Sequence, residues 1–160
     1  MILEYRKVRP NTRTPERANP SDAGLDVFFS PATDHDAGGH YVIPGQSVIL
    51  STGLKFGVPH GYMLEVKNRS GNAAKRHLLV GACVIDSGYD GEVFINLHNV
   101  GTEPQFIMPG MKIAQVVLIP VVHFRAVERQ EGSLYDYPMT ISKRGDGALG
   151  STDSVRRNDV

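Results

Sequence analysis

What the sequence lacks narrows it first. It holds a single cysteine, Cys83, and no tryptophan. One cysteine excludes an intrachain disulfide framework and fits a reducing compartment, so a cytoplasmic setting is expected. Net charge is also missing, because 17 Lys and Arg balance 17 Asp and Glu. No global field draws the chain to nucleic acid or to an anionic membrane, so neither direct nucleic-acid binding nor membrane binding is expected. Any anion it binds must be gripped by residues gathered locally. Long hydrophobic runs are absent as well. The longest, Val116 to Val122, contains Pro120 and is far too short to span a bilayer. The opening Met1-Ile2-Leu3-Glu4-Tyr5-Arg6-Lys7 breaks its apolar residues with charge at once, unlike a secretory signal.

What is present describes a globular protein. The 160 residues, 41% of them hydrophobic and 21% charged, suffice for one domain with a real core. Seventeen glycines and ten prolines are spread throughout, which favours short strands joined by turns over long helices. Alternation of period two supports this. Tyr62, Leu64 and Val66 share one face of a predicted strand while Glu65 and Lys67 share the other, and Val93, Ile95 and Leu97 repeat the pattern. Gln46 to Phe56 and Lys112 to Val122 add β-branched runs bounded by glycine or proline. Only Asn72 to His77 reads as helical. The expected fold is therefore all-β, a jelly-roll barrel or sandwich of short strands with one short helix. Thr33 to His40 is expected to be a solvated polar loop. A β domain over residues 1–142 is expected to end in a Gly-rich, charged tail at 143–160, flexible unless a ligand orders it.

Five segments carry residue types suited to chemistry. Ala23-Gly24-Leu25-Asp26 places a carboxylate beside a glycine at a strand start, either as turn chemistry or to orient a metal-bound water or hold a basic residue. Lys67-Asn68-Arg69-Ser70-Gly71-Asn72 ends a strand and opens the short helix. There Arg69, the Ser70 hydroxyl and helix amides reachable past Gly71 suit phosphate oxygens. Equally, Ser70 can simply cap the helix and Arg69 be a solvated charge. In Val84-Ile85-Asp86-Ser87-Gly88-Tyr89-Asp90-Gly91 an apolar strand delivers Asp86 into a turn, with Tyr89 as a flat face nearby. The segment is either an ordinary hairpin or a general base beside a stacked sugar. Gln115 sits in an otherwise apolar strand and needs partners, from neighbouring backbone or from a ligand. Finally, Arg144-Gly145-Asp146-Gly147-Ala148-Leu149-Gly150-Ser151-Thr152 can wrap phosphates with backbone amides or be a linker. Ser151 stands where a P-loop has its lysine and no strand–helix context surrounds it, so a P-loop NTPase is excluded.

In order and spacing, these five segments resemble the motifs of the homotrimeric dUTP diphosphatases (dUTPases), from about Ala23 to Asp153. The resemblance implies a distorted jelly roll, a homotrimer with shared active sites and the hydrolysis of dUTP to dUMP and pyrophosphate with Mg²⁺. Such an activity keeps uracil out of DNA and supplies dUMP for thymidylate synthesis. It implies that Asp86 activates the water attacking the α-phosphorus, and that Tyr89 packs on deoxyribose and excludes a 2′-hydroxyl. The resemblance further implies that backbone from Val80 through Cys83 to Val84 reads the uracil edge and that Arg69, Ser70, Gly71 and Gln115 bind the triphosphate. On the same resemblance, Arg144, Leu149, Gly150, Ser151 and Thr152 are expected to form a lid from a third subunit, with Asp26 meeting the magnesium indirectly, through water.

The chain departs from the family pattern at several positions. Leu149 replaces a common phenylalanine over the base, Asp90 a common arginine and Cys83 a common glycine, while Lys67-Asn68 replaces a proline-containing approach to Arg69. None of these removes a group the reaction needs. Two rival readings are a related dCTP deaminase, which needs a pocket glutamate such as Glu92, and a regulatory protein docking through the 33–40 loop. A metal site from Asp34, His35, Asp36 and His40 is a further option for that loop.

Overall fold

The computed structural model describes residues 1–132, 134 and 135. Two compact units divide the chain, Met1–His123 and Phe124–Val160. The described residues of the second unit, from Phe124 on, form neither helix nor strand. The predicted tail at 143–160 lies outside the described residues.

The first unit is all-β with one short α-helix. Its strands are β1 (Glu4–Lys7), β2 (Leu25–Phe28), β3 (His40–Val42), β4 (Ser47–Ser51), β5 (Leu54–Gly57), β6 (Tyr62–Lys67), β7 (Leu78–Val80), β8 (Val84–Ile85), β9 (Phe94–Asn99), β10 (Gln105–Ile107) and β11 (Lys112–Pro120). Helix α1 spans Ser70–Arg76. All pairings are antiparallel and fall into the orders β2-β11-β6-β8, β4-β9-β7, β1-β5 and β10-β3. This is the jelly-roll architecture expected from the short alternating strands.

The alternation places the core where predicted. Leu64 and Val66 of β6 and Ile95 and Leu97 of β9 are buried, joined by Val27, Leu50 and Leu54. Each such side chain contributes about 1.5–3 kcal/mol through burial. Glu65 and Lys67 face away together and pair at 2.6 Å. Asn99 continues the buried face of β9 as a polar residue. It is satisfied because Nδ2 donates to the Val42 and Glu103 carbonyls and Oδ1 accepts from the Gly101 amide.

Three local expectations need correction. Helix α1 starts at Ser70, two residues before Asn72, and His77 lies outside it as a left-handed cap with φ 53°. The reason is tertiary: buried Asn72 turns its Nδ2 to the carbonyls of Lys112 and Ile113, docking the first turn on β11. Those carbonyls flank a register shift between Lys112 and Ala114 in the β2–β11 pairing. Arg69, not Ser70, occupies the helix cap position, and it makes no side-chain capping bond. In place of a plain loop, Asp34–Gly38 forms an exposed 3-10 turn, tied by Thr33 Oγ1 donating to Asp36 Oδ2 at 2.8 Å.

Candidate active site

Most of the predicted residues that the structure describes line two clefts, while Val80 and Cys83 line neither. The first, about 510 Å³, brings together Gly24 and Asp26 of the β2 segment, Arg69, Ser70 and Gly71 at the start of α1, and Gln115 of β11. Pairing of β11 with both β2 and β6 puts these segments side by side, with Gln115 opposite Asp26 on one flank and Lys67 on the other. Thus three of the five sequence segments converge.

Asp26 is buried and anchors the charges of this cleft. Its Oδ1 accepts from Arg69 Nε at 2.9 Å and its Oδ2 meets Lys112 Nζ at 2.8 Å. Lys112 also reaches Glu16 Oε1 at 2.9 Å. Hydrogen bonds to Asp26 and then to Glu16 raise the lysine pKa above its ordinary value, which keeps it charged. Arg69 spends only Nε on the anchor, and among the described residues neither terminal nitrogen of its guanidinium has a partner, so both can meet an anion in the cleft. Gln115 donates Nε2 to the Asn68 carbonyl at 2.8 Å. Its Oε1 occupies the place of a side chain at position 24: a Cβ on Gly24 would lie 1.8 Å from that oxygen. Gly24 is therefore the space into which the amide fits.

The second cleft, about 230 Å³, is lined by Val84, Ile85, Asp86, Tyr89, Glu92, Val93 and Phe94. Strand β8 pairs with β6 through Val84 and Ile85 and so delivers Asp86 at its end. The chain turns there, with the Tyr89 amide donating to the Asp86 carbonyl at 3.2 Å. Ser87 Oγ secures the turn on the Val58 carbonyl at 3.0 Å. Asp86 is exposed, so water can reach its carboxylate. Tyr89, 48% exposed, lays its ring over Gly91 and donates its hydroxyl to the Glu92 carbonyl at 2.9 Å. Next to this cleft, the Cys83 carbonyl accepts from Val66, and Val80 donates its amide to Asn68 Oδ1 at 2.7 Å. Asn68 thereby links the 80–84 hairpin to the segment that carries Arg69. Asp90 is held through its carbonyl by Lys55 Nζ at 2.6 Å, while its side chain is 95% exposed.

The two clefts share no lining residue. Within one chain the carboxylate and the cationic cleft are separate features.

A dUTPase family model matches residues 11–152. The deoxyuridine 5'-triphosphate nucleotidohydrolase of Chlamydia muridarum is 32% identical over 148 residues, covering 91% of this chain and 94% of that protein. The one from Chlamydia pneumoniae is 37% identical over 143 residues, covering 86% and 89%. Among solved structures, the Staphylococcus bacteriophage 80alpha dUTPase with dUpNHpp is similar at a TM-score of 0.74 and 25% identity, covering 94% of this chain and 97% of that one. A mutant dUTPase of S. aureus phage phi11, described with a coordinated structural Mg(II) ion, gives a TM-score of 0.71 at 25% identity, covering 82% and 98%.

The chain belongs to the dUTPase family. It is accordingly a nucleotide hydrolase on the all-β fold described above. Arg144, Leu149, Gly150, Ser151 and Thr152, expected from the sequence to form a lid, lie outside the described residues. Among the described residues no helix is long and apolar enough to cross a membrane.

The donor set can be tested against a metal. Both oxygens of Asp26 are taken by Arg69 and Lys112, and the described residues contain no cluster of three or more His, Cys, Asp or Glu suited to a metal. Among the described residues, Asp34, His35, Asp36 and His40 form no such cluster. These residues fit a Mg²⁺ carried on phosphate oxygens and met through water, because this ion retains its waters and takes few protein ligands.

Sequence reasoning passes over Lys112, Asn72, Arg9 and the structural role of Glu92. Lys112 lies three residues from Gln115, and only the register shift in β11 aims both toward the β2 segment. Nothing in the local pattern announces that shift. Arg9 and Glu92 are far apart in sequence and meet only through the fold.

Proposed function

We propose that this chain hydrolyses dUTP to dUMP and pyrophosphate in the cytoplasm, at sites assembled between the subunits of a homotrimer. The observation that carries this reading is the separation of the two clefts. One holds a general-base candidate with a sugar-sized aromatic, the other an anchored cation with free donors, and neither suffices alone. Apposing the first cleft of one subunit with the second of its neighbour supplies both.

In this reading Asp86 accepts a proton from a water whose oxygen bonds to the α-phosphorus. The bond from that phosphorus to the bridging oxygen breaks and pyrophosphate departs. Arg69, with Ser70, the backbone at Gly71 and Gln115, grips the phosphates and offsets the charge that builds on them. Mg²⁺ on the phosphates, with Asp26 reached through water, supplies further charge neutralisation. Backbone at Val80, Cys83 and Val84 reads the uracil edge, and Tyr89 packs on the deoxyribose. Residues 143–160 act as a lid, with Arg144, Gly150, Ser151 and Thr152 closing on the phosphates and Leu149 covering the base.

Deamination of dCTP is the weaker reading. Both oxygens of Glu92 are already engaged by Arg9, and one of them also by the Gly53 amide, so this glutamate is not a free base. A substrate panel with Mg²⁺, reading pyrophosphate and ammonia in parallel, tests the proposal. Pyrophosphate from dUTP, with dCTP, dTTP and UTP far poorer, is the expected result. Comparable turnover of dCTP with ammonia release would overturn it.

A further inference from the structure

Arg9 precedes residue 11, where the family match begins, and belongs to none of the five motifs. It nevertheless reaches the catalytic turn. Its Nη1 donates to Glu92 Oε2 at 2.9 Å and its Nη2 to Oε1 at 2.7 Å, a two-pronged contact across 83 positions. The side chains are only 24% and 14% exposed. Nη2 is also held by the Ser30 carbonyl at 3.0 Å, and Glu92 Oε1 accepts from the Gly53 amide at 2.7 Å. Arg9 Nε is buried with no partner among the described residues, so the guanidinium is seated for its fork and not for full satisfaction.

Glu92 in turn holds Tyr89. The tyrosine hydroxyl donates to the Glu92 carbonyl, and its ring crosses Gly91 so closely that a Cβ there would sit 2.2 Å from the hydroxyl oxygen. No hydrogen bond other than that to Glu92 fixes the ring's polar end among the described residues. A planar fork locks the Glu92 side chain more firmly than a single point charge would. A glutamate locked at its carboxylate presents its carbonyl at a defined place, and the ring position follows from it.

We propose that Arg9 and Glu92 are a positioning pair for Tyr89 and thereby set how strongly the enzyme prefers deoxyribose to ribose. This rests on the reading of Tyr89 as the surface that packs on the sugar. Glu92 lines the Asp86 cleft, but both of its carboxylate oxygens are spent on Arg9 and the Gly53 amide. The pair's effect is on where the ring stands, and a ring displaced by a fraction of an ångström admits a 2′-hydroxyl.

The test is the ratio of kcat/KM for UTP to that for dUTP, measured on the full chain with Mg²⁺. Arg9→Ala and Glu92→Ala should each raise this ratio about tenfold, the scale on which a small packing change discriminates substrates. The double variant should raise it no further, since the two act as one unit. Arg9→Lys keeps the charge and loses the fork, and should raise the ratio roughly threefold even if the alanine variants fold poorly. Folded variants with a lowered Tm and the wild-type ratio would show a purely structural clamp and overturn the proposal. Tyr89→Ala separates the two levels of the argument. A raised ratio there beside unchanged Arg9 and Glu92 variants defeats the pair alone. An unchanged ratio in Tyr89→Ala defeats the sugar-packing role and the pair with it.

Discussion

The two clefts are built on opposite plans. The Arg69 cleft is organised from within, where buried Asp26 divides itself between Arg69 and Lys112 and each side chain is held before any ligand arrives. The Asp86 cleft is organised from behind. Its carboxylate stands exposed at the end of a two-residue strand, and the fixed parts are the backbone of the turn and the Glu92 clamp. A cationic site must be prearranged to bind a multiply charged ligand, because each mobile side chain would lose conformational freedom on binding. A base must instead keep its lone pairs free for water. The contrast is what a site divided into a gripping half and a reacting half should show.

Removing the reacting half should have the largest effect. Asp86→Asn is expected to bind dUTP and turn it over at least about a hundredfold more slowly, read by single-turnover kinetics beside equilibrium binding. Near-wild-type turnover would remove Asp86 from its role. Next comes the gripping half. Arg69→Gln deletes a charge-assisted contact worth about 1.5–3 kcal/mol, so kcat/KM should fall roughly ten- to hundredfold. An effect confined to Tm would mean that Arg69 serves only Asp26.

Gly24→Ala probes the prearrangement itself. The added methyl displaces the Gln115 amide, so KM for dUTP should rise by about three- to tenfold with kcat nearly kept. Unchanged KM would show that Gln115 grips nothing. The smallest effect belongs to a region outside both clefts. The Thr33 hydroxyl bond holds the Asp36 carboxylate below its ordinary pKa. A lowered carboxylate stabilises the fold above its unfolded value and loses that contribution as pH falls through the folded one. Asp36→Asn should therefore flatten the pH dependence of Tm below about pH 4 and leave kinetics at neutral pH alone. A change in dUTP turnover would tie the 33–40 loop to the site.

Much of this was legible in the residues. Alternation in Tyr62 to Lys67 and Val93 to Asn99 foretold both the strands and their buried faces, since period two is imposed by the pleat itself. Residue types at Asp26, Arg69, Asp86, Tyr89 and Gln115 announced a polar site, and their order pointed to the family. What was not legible depended on contacts between distant segments. The early start of α1 follows from Asn72 reaching β11, the role of Lys112 from a shifted register, and the clamp on Tyr89 from Arg9 arriving from the far end of the chain. Local pattern carries no trace of such meetings. The division into two clefts is of the same kind, because a linear motif order does not say which motifs share a subunit's surface.

That division is tested most directly by complementation. Asp86→Asn and Arg69→Gln chains, each expected at about a tenth of wild-type activity or less at sub-saturating dUTP, are unfolded together at equal concentration and allowed to reassemble. If one subunit supplies the carboxylate and its neighbour the cation, random assembly gives about a quarter of the sites both wild-type halves, and dUTP hydrolysis should recover to about that share of the wild-type rate. If each subunit builds its own site, every site keeps one defect, and the mixture will show no more activity than the average of its parents.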